Sequence, residues 1–231
     1  MSVDFSQLST AALFELSRAS ELGISPEMLK YLSQFEYPWM ALGKPLTAFV
    51  MACIEKVPVP QRHQGTISPQ AFLENPELIV VEKGALIEAG AFVAGPSYIA
   101  AHAVVRHGAY VRGSVYVGEG AVVGHTTEAK GSLLLPRAKA AHFAYVGDSI
   151  LGVNTNLGAG TKLANMRFDH GLVSVRLGTQ ILETGLKKMG AIFGNDAQSG
   201  CNSVTNPGTI LLPRAMVLPT TTGRGVIRAR S

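Results

Sequence analysis

Two cations, Arg112 and Lys130, stand at positions whose numbers differ by 18. In a chain that completes one turn over this spacing, they would lie on the same face of adjacent turns, one strand spacing apart. Two cations at that distance repel each other unless an anion lies between them. The pair is therefore either a binding site for a phosphate group or two solvated residues on neighbouring corners.

Two histidines, His107 and His125, have the same spacing and could stack. A metal held by this pair would need further ligands, and no cysteine or carboxylate cluster supplies them. We therefore expect no metal. The only two cysteines, Cys53 and Cys201, form neither a disulfide framework nor a metal-ligand spacing. We expect free thiols in a cytoplasmic protein.

A hexapeptide repeat supplies the turns that would position these pairs. Aliphatic residues recur at every sixth position, at Val81, Ile87, Val93, Ile99, Val105, Val111, Val117 and Val123. Small residues often lie two positions earlier, and glycines often precede those. This period is typical of a triangular parallel β-helix, in which three hexapeptides form one coil and coils stack ~4.8 Å apart.

The repeat is interrupted twice, first by a change of phase and then by an inserted segment. It resumes in a shifted phase at Leu151, Leu157 and Leu163, and it returns weakly around Phe193, Leu211 and Val217. The intervening segment, residues 166–190, is too charged and aperiodic for a coil. The sequence therefore predicts a mainly β domain over residues 79–226 with one inserted loop at 166–190.

The segment before the repeat has a different pattern. Apolar residues follow helical spacing, and Ser25-Pro26-Glu27 is a typical start of a helix. Residues 1–57 are predicted to form a small helical unit without a catalytic motif, and residues 58–78 a proline-containing linker.

Composition narrows the classes of protein. Hydrophobic residues make up 47% of the 231 residues and charged residues 16%, which argues against disorder. No apolar stretch approaches the ~18 residues of a membrane-spanning helix, and the amino terminus has no signal-peptide pattern. A pI near 9.1 suits small anionic substrates, and no polybasic patch for nucleic acid is present.

One pair of motifs carries a family resemblance. Glu128-x-Lys130 is followed, fourteen residues after the glutamate, by His142-x-x-Tyr145-x-Gly-Asp148. With the repeats from about residue 80 to 226, these motifs resemble the hexapeptide-repeat acyltransferases. The resemblance is to the acetyltransferase half of bifunctional enzymes that make UDP-N-acetylglucosamine, and to sugar-phosphate nucleotidyltransferase-like proteins with the same tail. It implies a left-handed β-helix, a homotrimer and acetyl-CoA as co-substrate.

The resemblance also implies roles for single residues. His142 would be the general base for attack of a sugar amine on the acetyl-CoA thioester, since an imidazole pKa lies near working pH. Glu128 would orient or polarise His142 or the substrate. Arg112 and Lys130, with Arg106, would bind the sugar phosphate, and Tyr145 and Asn156 would hydrogen-bond the sugar or its phosphate. Asn165 would lie at the amine and thioester. Toward coenzyme A, the candidates are Asn195, Lys187 and Lys188.

Alternatives stay open at this stage. Without the motif, His142 would be interpreted as a buried, hydrogen-bonded histidine, and Asn156 and Asn165 as turn formers. The nucleotidyltransferase domain of the bifunctional enzymes has no counterpart in residues 1–57, so uridylyl transfer is not expected. Met166 replaces an aromatic residue, and a lysine of the following loop is missing. Two hypotheses follow: an acyl-CoA-dependent N-acyltransferase acting on an amino-sugar phosphate or sugar nucleotide, and a non-catalytic β-helix that binds a sugar phosphate or scaffolds a partner.

Overall fold

A computed structural model describes residues 4–229 of the chain. Three eight-stranded parallel sheets wind into a left-handed β-helix, and each coil adds one strand to each sheet. The predicted fold class is confirmed. A small helical unit precedes the β-helix, and a two-stranded antiparallel hairpin projects from it.

The strands are short, and the sheets are called sheets 1, 2 and 3 in the order in which the chain enters them. Sheet 1 contains β1 (Thr66–Ile67), β4 (Leu86–Ile87), β7 (Val104–Val105), β10 (Val122–His125), β13 (Lys139–His142), β16 (Asn156–Leu157), β21 (Gln198–Ser199) and β24 (Met216–Val217). Sheet 2 contains β2 (Phe72–Glu74), β5 (Phe92–Ala94), β8 (Tyr110–Arg112), β11 (Glu128–Lys130), β14 (Tyr145–Gly147), β17 (Lys162–Leu163), β22 (Val204–Thr205) and β25 (Thr222–Gly223). Sheet 3 contains β3 (Ile79–Val81), β6 (Ser97–Ile99), β9 (Val115–Val117), β12 (Leu133–Leu134), β15 (Ile150–Leu151), β20 (Ala191–Phe193), β23 (Thr209–Leu211) and β26 (Val226–Ile227).

The other elements lie outside the coils. The hairpin pairs β18 (Ser174–Leu177) with β19 (Gln180–Glu183). The α-helices are α1 (Thr10–Leu13), α2 (Pro26–Leu32) and α3 (Lys44–Glu55). Single 3-10 turns occur at Phe5–Leu8, Leu16–Arg18, Pro38–Ala41, Val59–Gln61 and Pro76–Leu78.

The inward column of aliphatic residues forms the core of the β-helix. All eight repeat residues from Val81 to Val123 are completely buried. Leu151, Leu157, Leu163, Phe193, Leu211 and Val217 are buried as well. The hexapeptide repeat therefore identifies the inward positions correctly.

The change of phase has a simple cause, which is a shorter coil. The pairing of Val111 with Ala129 spans three full hexapeptides, whereas the pairing of Val117 with Leu134 spans one residue fewer. Leu134 pairs with Leu151 at the same shorter spacing. Because one residue is missing from each of these coils, the inward positions after Ala129 move out of the original phase.

The helical unit covers the outer face of sheet 3. Outward side chains of this sheet, among them Val80, Tyr98, Leu133 and Ile150, belong to one buried cluster with the apolar residues of the helices. Helix α3 packs against β6 and β9. Helix α2 begins where its sequence predicts. The Ser25 hydroxyl caps it by accepting a hydrogen bond from the Met28 amide. Sheet 3 is thus enclosed on both sides.

Two segments differ from the sequence predictions. Strands β1 and β2 lie within residues 58–78, for which the sequence predicts a linker, so the first coil begins earlier than expected. The loop at 166–190 contains the hairpin, and Val173, Val175 and Leu177 pack into the same buried cluster as the helices. The insertion therefore extends the cover of sheet 3 toward the last coils.

Between residues 4 and 229, no helix has the length and hydropathy that a membrane span requires.

Candidate active site

The outer face of sheet 2 carries a ladder of alternating charges. Arg112 and Lys130 occupy matching positions of the neighbouring strands β8 and β11, as their spacing predicts. The Arg112 Nη1 atom lies 2.6 Å from Oε1 of Glu128, which is on the same strand as Lys130. The repulsion between the two cations is therefore reduced by a carboxylate of the chain itself, and the guanidinium stays accessible because 43% of the Arg112 side chain is exposed.

Asp148 contacts two further polar side chains of this ladder, Lys130 and Asn165. Its Oδ2 atom lies 2.7 Å from the Lys130 ammonium, and the Asn165 amide donates a hydrogen bond to the same oxygen. Both partners of the ion pair are largely shielded, with 22% of Lys130 and 15% of Asp148 exposed. In the sequence, Asp148 ends a motif without an assigned role. Its position in the structure fixes both Lys130 and Asn165.

Tyr145 lies beside this pair on β14. Its hydroxyl and the Asn165 side-chain amide both lie beside Gly147. Burial raises the pKa of Tyr145; the Lys130 cation opposes that rise, and Glu128 and Asp148 add to it. The phenol therefore stays neutral and can donate a hydrogen bond at neutral pH.

Gly147 makes room for this arrangement. A Cβ atom at residue 147 would lie 2.6 Å from the Tyr145 hydroxyl and 2.7 Å from Asn165 Nδ2. These distances are too short for a real contact, so any side chain at this position would displace both polar groups. The lack of a side chain at Gly147 is thus a requirement of the site.

His142 lies around the corner, at the end of β13 in sheet 1. It is exposed, so the alternative interpretation of a buried histidine is wrong. In the register, His142 pairs with His125 of the previous coil, and the His125 ring stacks on His107 at 5.6 Å, as predicted for that pair. Within residues 4–229, no hydrogen bond joins the His142 side chain to Glu128. The imidazole is open to solvent and to a substrate.

The other candidate residues are dispersed. Arg106 is half-buried directly after β7, and Asn156 is half-buried on β16 beside Lys139 and Gln198. Lys187 and Lys188 are exposed after the hairpin. The structure therefore brings together Arg112, Glu128, Lys130, Tyr145 and Asn165, and not Arg106, Asn156, Lys187 and Lys188. The roles assigned to this second group remain predictions.

Asn195 is buried beneath the helical unit. Its Oδ1 atom accepts a hydrogen bond from the Val153 amide at 2.9 Å, and its Nδ2 atom donates to Glu15 at 3.4 Å. Its backbone amide donates to the Leu13 carbonyl. These bonds tie the amino-terminal segment to the β-helix, and the role assigned to Asn195 at the cofactor remains a prediction.

The chemistry of the ladder is that of binding and orientation. It offers cationic and hydroxyl donors for an anionic, hydroxyl-rich ligand, and one solvent-accessible imidazole lies beyond the adjacent corner. Over residues 4–229, no group of three or more His, Cys, Asp or Glu side chains is arranged to hold a metal ion.

The β-helix is an acetyltransferase-like hexapeptide-repeat fold. Residues 93–222, more than half of the chain, match the family model described as the GMPPB C-terminal domain. The chain belongs to this family. The matched region includes Arg112, Lys130, His142 and Asp148.

Curated relatives match a shorter part of the chain. A bifunctional sugar-1-phosphate nucleotidylyltransferase/acetyltransferase of Sulfurisphaera tokodaii is 35% identical over 88 residues, which are 38% of this chain and 22% of the relative. The bifunctional protein GlmU of Methanocaldococcus jannaschii is 38% identical over 77 residues, which are 33% of this chain and 19% of the relative. The chain thus spans about a fifth of the length of these relatives.

Two solved structures are also similar. The acetyltransferase domain of PglB from Neisseria gonorrhoeae is 17% identical, with a TM-score of 0.30, over 66% of this chain and 53% of that one. The UDP-N-acetylglucosamine acyltransferase of Francisella novicida is 9% identical, with a TM-score of 0.39, over 67% of this chain and 61% of that one.

Proposed function

We propose that the chain is an acetyl- or acyl-CoA-dependent N-acyltransferase whose acceptor is an amino-sugar phosphate or a sugar nucleotide. The observation that carries this proposal is the set of contacts around Asp148, which holds Lys130 and Asn165 beside Tyr145. A cation, an amide and a phenol held together on one face suit a ligand that combines a phosphate with sugar hydroxyls.

The proposed reaction uses His142 as general base. The acceptor amine attacks the thioester carbonyl carbon, so that a C–N bond forms and the C–S bond breaks. His142 takes the proton that the amine loses and returns one to the departing thiolate of coenzyme A. An exposed imidazole suits this exchange, because its neutral form accepts a proton near neutral pH.

The same proposal includes a homotrimer in the cytoplasm. The self-association, and not the location, is supported by an aromatic column on the first strands of sheet 2. Phe72 stacks there on Phe92 at 4.9 Å, and Phe92 meets Tyr110 edge-on at 5.2 Å. Phe72 is 58% exposed and Tyr110 is 43% exposed. A column of exposed rings beside a polar site favours contact with further copies of the chain. Light scattering at micromolar concentration tests this, and a monomer would contradict it.

One observation favours the second candidate, a non-catalytic phosphosugar-binding β-helix. Catalytic bases are commonly oriented by a hydrogen bond from a third group. Within the described residues, the His142 side chain has no such partner. In this case the ladder would bind the same ligand, but no acyl group would be transferred.

Coenzyme A release separates the two candidates. A thiol reagent follows release with acetyl-CoA and a series of amino-sugar phosphates and nucleotide-linked amino sugars. The His142→Ala variant should lose the ~10²–10⁴-fold that a general base contributes, while the acceptor KM changes much less. His125→Ala, at the matching position one coil earlier, is the control and should keep its activity.

The pH profile gives an independent check. For the wild-type protein, kcat/KM should rise through an ionisation near that of an imidazole, because only neutral His142 accepts the proton. A His142→Ala variant with wild-type activity on its best acceptor would overturn the mechanism. If no acceptor releases coenzyme A with the wild-type protein, the binding function is the better conclusion.

A further inference from the structure

One cavity of the molecule lies away from sheet 2. It opens between the helical unit and sheet 3, with a volume of about 320 Å³. Its wall includes the stacked rings of Tyr98 and Tyr116, whose centroids are 5.1 Å apart, and the half-buried thiol of Cys53. Nothing in the proposed acyl transfer uses this cavity. A cavity at a junction of two structural units, part apolar with a few fixed polar groups, is the usual form of a small-molecule site.

One carboxylate in the cavity wall is held in a fixed position. The Tyr98 hydroxyl donates a hydrogen bond to Glu82 Oε1, and the Ala101 amide donates to Glu82 Oε2 at 2.6 Å. Burial raises the pKa of Tyr98, and its bond to Glu82 adds to that rise. The phenol therefore stays neutral and the carboxylate keeps both donors. A pre-oriented anion in a partly buried cavity is a recognition group for a cation.

The other charged side chains that line the cavity also carry a net negative charge. The charged side chains in the wall are Glu27, Glu82 and Glu119 against the single cation Lys56. Glu27, Glu119 and Lys56 are exposed at the rim, whereas Glu82 is half-buried. The cavity therefore attracts positive charge at its mouth and fixes it at its wall. Aromatic side chains in the wall add a favourable surface for a flat, positively charged ligand.

We propose that this cavity is a binding site for a small organic cation, an amine with a flat or apolar body. The bound cation would contact both the helical unit and the β-helix. The site is distinct from the ladder on sheet 2, and the proposal does not depend on acyl transfer.

The position of Cys53 provides a direct test. Tyramine, tyrosol and 4-hydroxyphenylacetate share one ring and differ in charge, being a cation, a neutral molecule and an anion. Each is added to the full-length protein, and alkylation of Cys53 by iodoacetamide is followed by peptide mass spectrometry. The reaction is run at about pH 8, where the tyramine ammonium and the phenols of all three compounds keep their protons. Alkylation of Cys53 is slow there, because burial raises the pKa of its thiol to about 11, so it is followed over hours. Cys201 is exposed and serves as the internal reference.

Tyramine should slow the alkylation of Cys53 in a saturable way and leave the alkylation of Cys201 unchanged. Tyrosol should slow the Cys53 reaction less, and 4-hydroxyphenylacetate should slow it least. Glu82→Gln should weaken tyramine binding by roughly tenfold or more, the loss of one hydrogen bond to a charged group. Glu55→Gln, an exposed glutamate of α3 outside the cavity, is the matched control. If Glu82→Gln does not fold, the double variant Glu27→Gln/Glu119→Gln is used, and it should also weaken binding.

Two results would overturn the proposal. The first is no slowing of Cys53 alkylation by tyramine at millimolar concentration. The second is equal slowing by all three compounds, or slowing that no carboxylate variant changes, because the site would then not select for positive charge.

Discussion

Sheets 2 and 3 of the β-helix are alike on the inside and unlike on the outside. Both send aliphatic side chains inward, such as Val111 of sheet 2 and Val117 of sheet 3, and both of these are completely buried. Outward, sheet 3 presents Leu133 and Ile150 beneath the helical unit, whereas sheet 2 presents a charged and phenolic ladder to solvent. The inner column holds the coils together, so the outer positions are free to specialise.

The two outer faces serve different purposes for a physical reason. An apolar outer face must be covered, because a large exposed apolar patch is unfavourable in water. The helices and the hairpin provide that cover for sheet 3. On sheet 2, each charged side chain of the ladder has a partner on a neighbouring coil, so the face is stable without a cover and remains available to a ligand.

The largest difference between the faces should appear in stability. Ile150→Ala, which removes a fully buried side chain from beneath the cover, should lower the free energy of unfolding by ~2–5 kcal/mol. Lys162→Ala, at an exposed outer position of sheet 2, should change it by less than about 0.5 kcal/mol. Urea denaturation at one fixed protein concentration measures both. Equal losses would mean that the cover contributes nothing to the stability of sheet 3.

The next effect concerns binding to the open face. Arg112→Ala and Lys130→Ala should each weaken phosphosugar binding by ~1.5–3 kcal/mol, as expected for a hydrogen bond to a charged group. Arg112→Ala should fold normally, because its ion pair with Glu128 is exposed. Lys130→Ala leaves the shielded Asp148 carboxylate without its cation, so its stability is measured by urea denaturation before the titration. Lys139→Ala, an exposed cation of sheet 1, is the control for calorimetric titration. Unchanged affinity in both test variants would show that the pair is surface charge only.

These two faces also differ in how far the sequence predicts them. The inner column follows from the hexapeptide period, since every inward residue meets the same environment one coil later. The outer side chains have no such repeat, so the cover of sheet 3 could not be predicted. A signal for the first coil was present: Ile67 and Leu73 are one hexapeptide apart and both line the core, but the 3-10 turn at Pro76–Leu78 changes the spacing to Val81.

The candidate site was predictable in part. The equal spacing along the chain correctly aligned Arg112 with Lys130, but it did not show that Glu128 forms an ion pair with Arg112. Asp148 was missed as a functional residue because its importance depends on the shorter coil, which pairs Lys130 with Gly147 and places the carboxylate at the next corner. Spacing alone cannot show where a coil loses a residue until the register is known.

Asp148 gives a smaller effect that tests this positioning role. Asp148→Asn keeps the shape of the side chain but removes the charge that holds Lys130, so the acceptor should bind about 1–1.5 kcal/mol more weakly. The loss should appear in the acceptor KM, with kcat nearly unchanged, because Asp148 touches the ligand-binding groups and not His142. Asp196→Asn, which alters a corner aspartate bonded to Asn154, is the control. A loss confined to kcat would assign Asp148 to the chemical step instead.

The smallest expected effect tests whether the cover and the β-helix unfold together. The Ser9 hydroxyl caps α1 by accepting a hydrogen bond from the Ala12 amide at 3.2 Å, so Ser9→Ala should cost about 0.5–1 kcal/mol. Ser20→Ala, at an exposed position of the same unit, is the control. If the helical unit and sheet 3 form one cooperative structure, the loss appears in global unfolding. If only hydrogen exchange in residues 5–32 becomes faster, the cover unfolds separately from the β-helix. The β-helix then stays folded while the outer face of sheet 3 is transiently exposed to water.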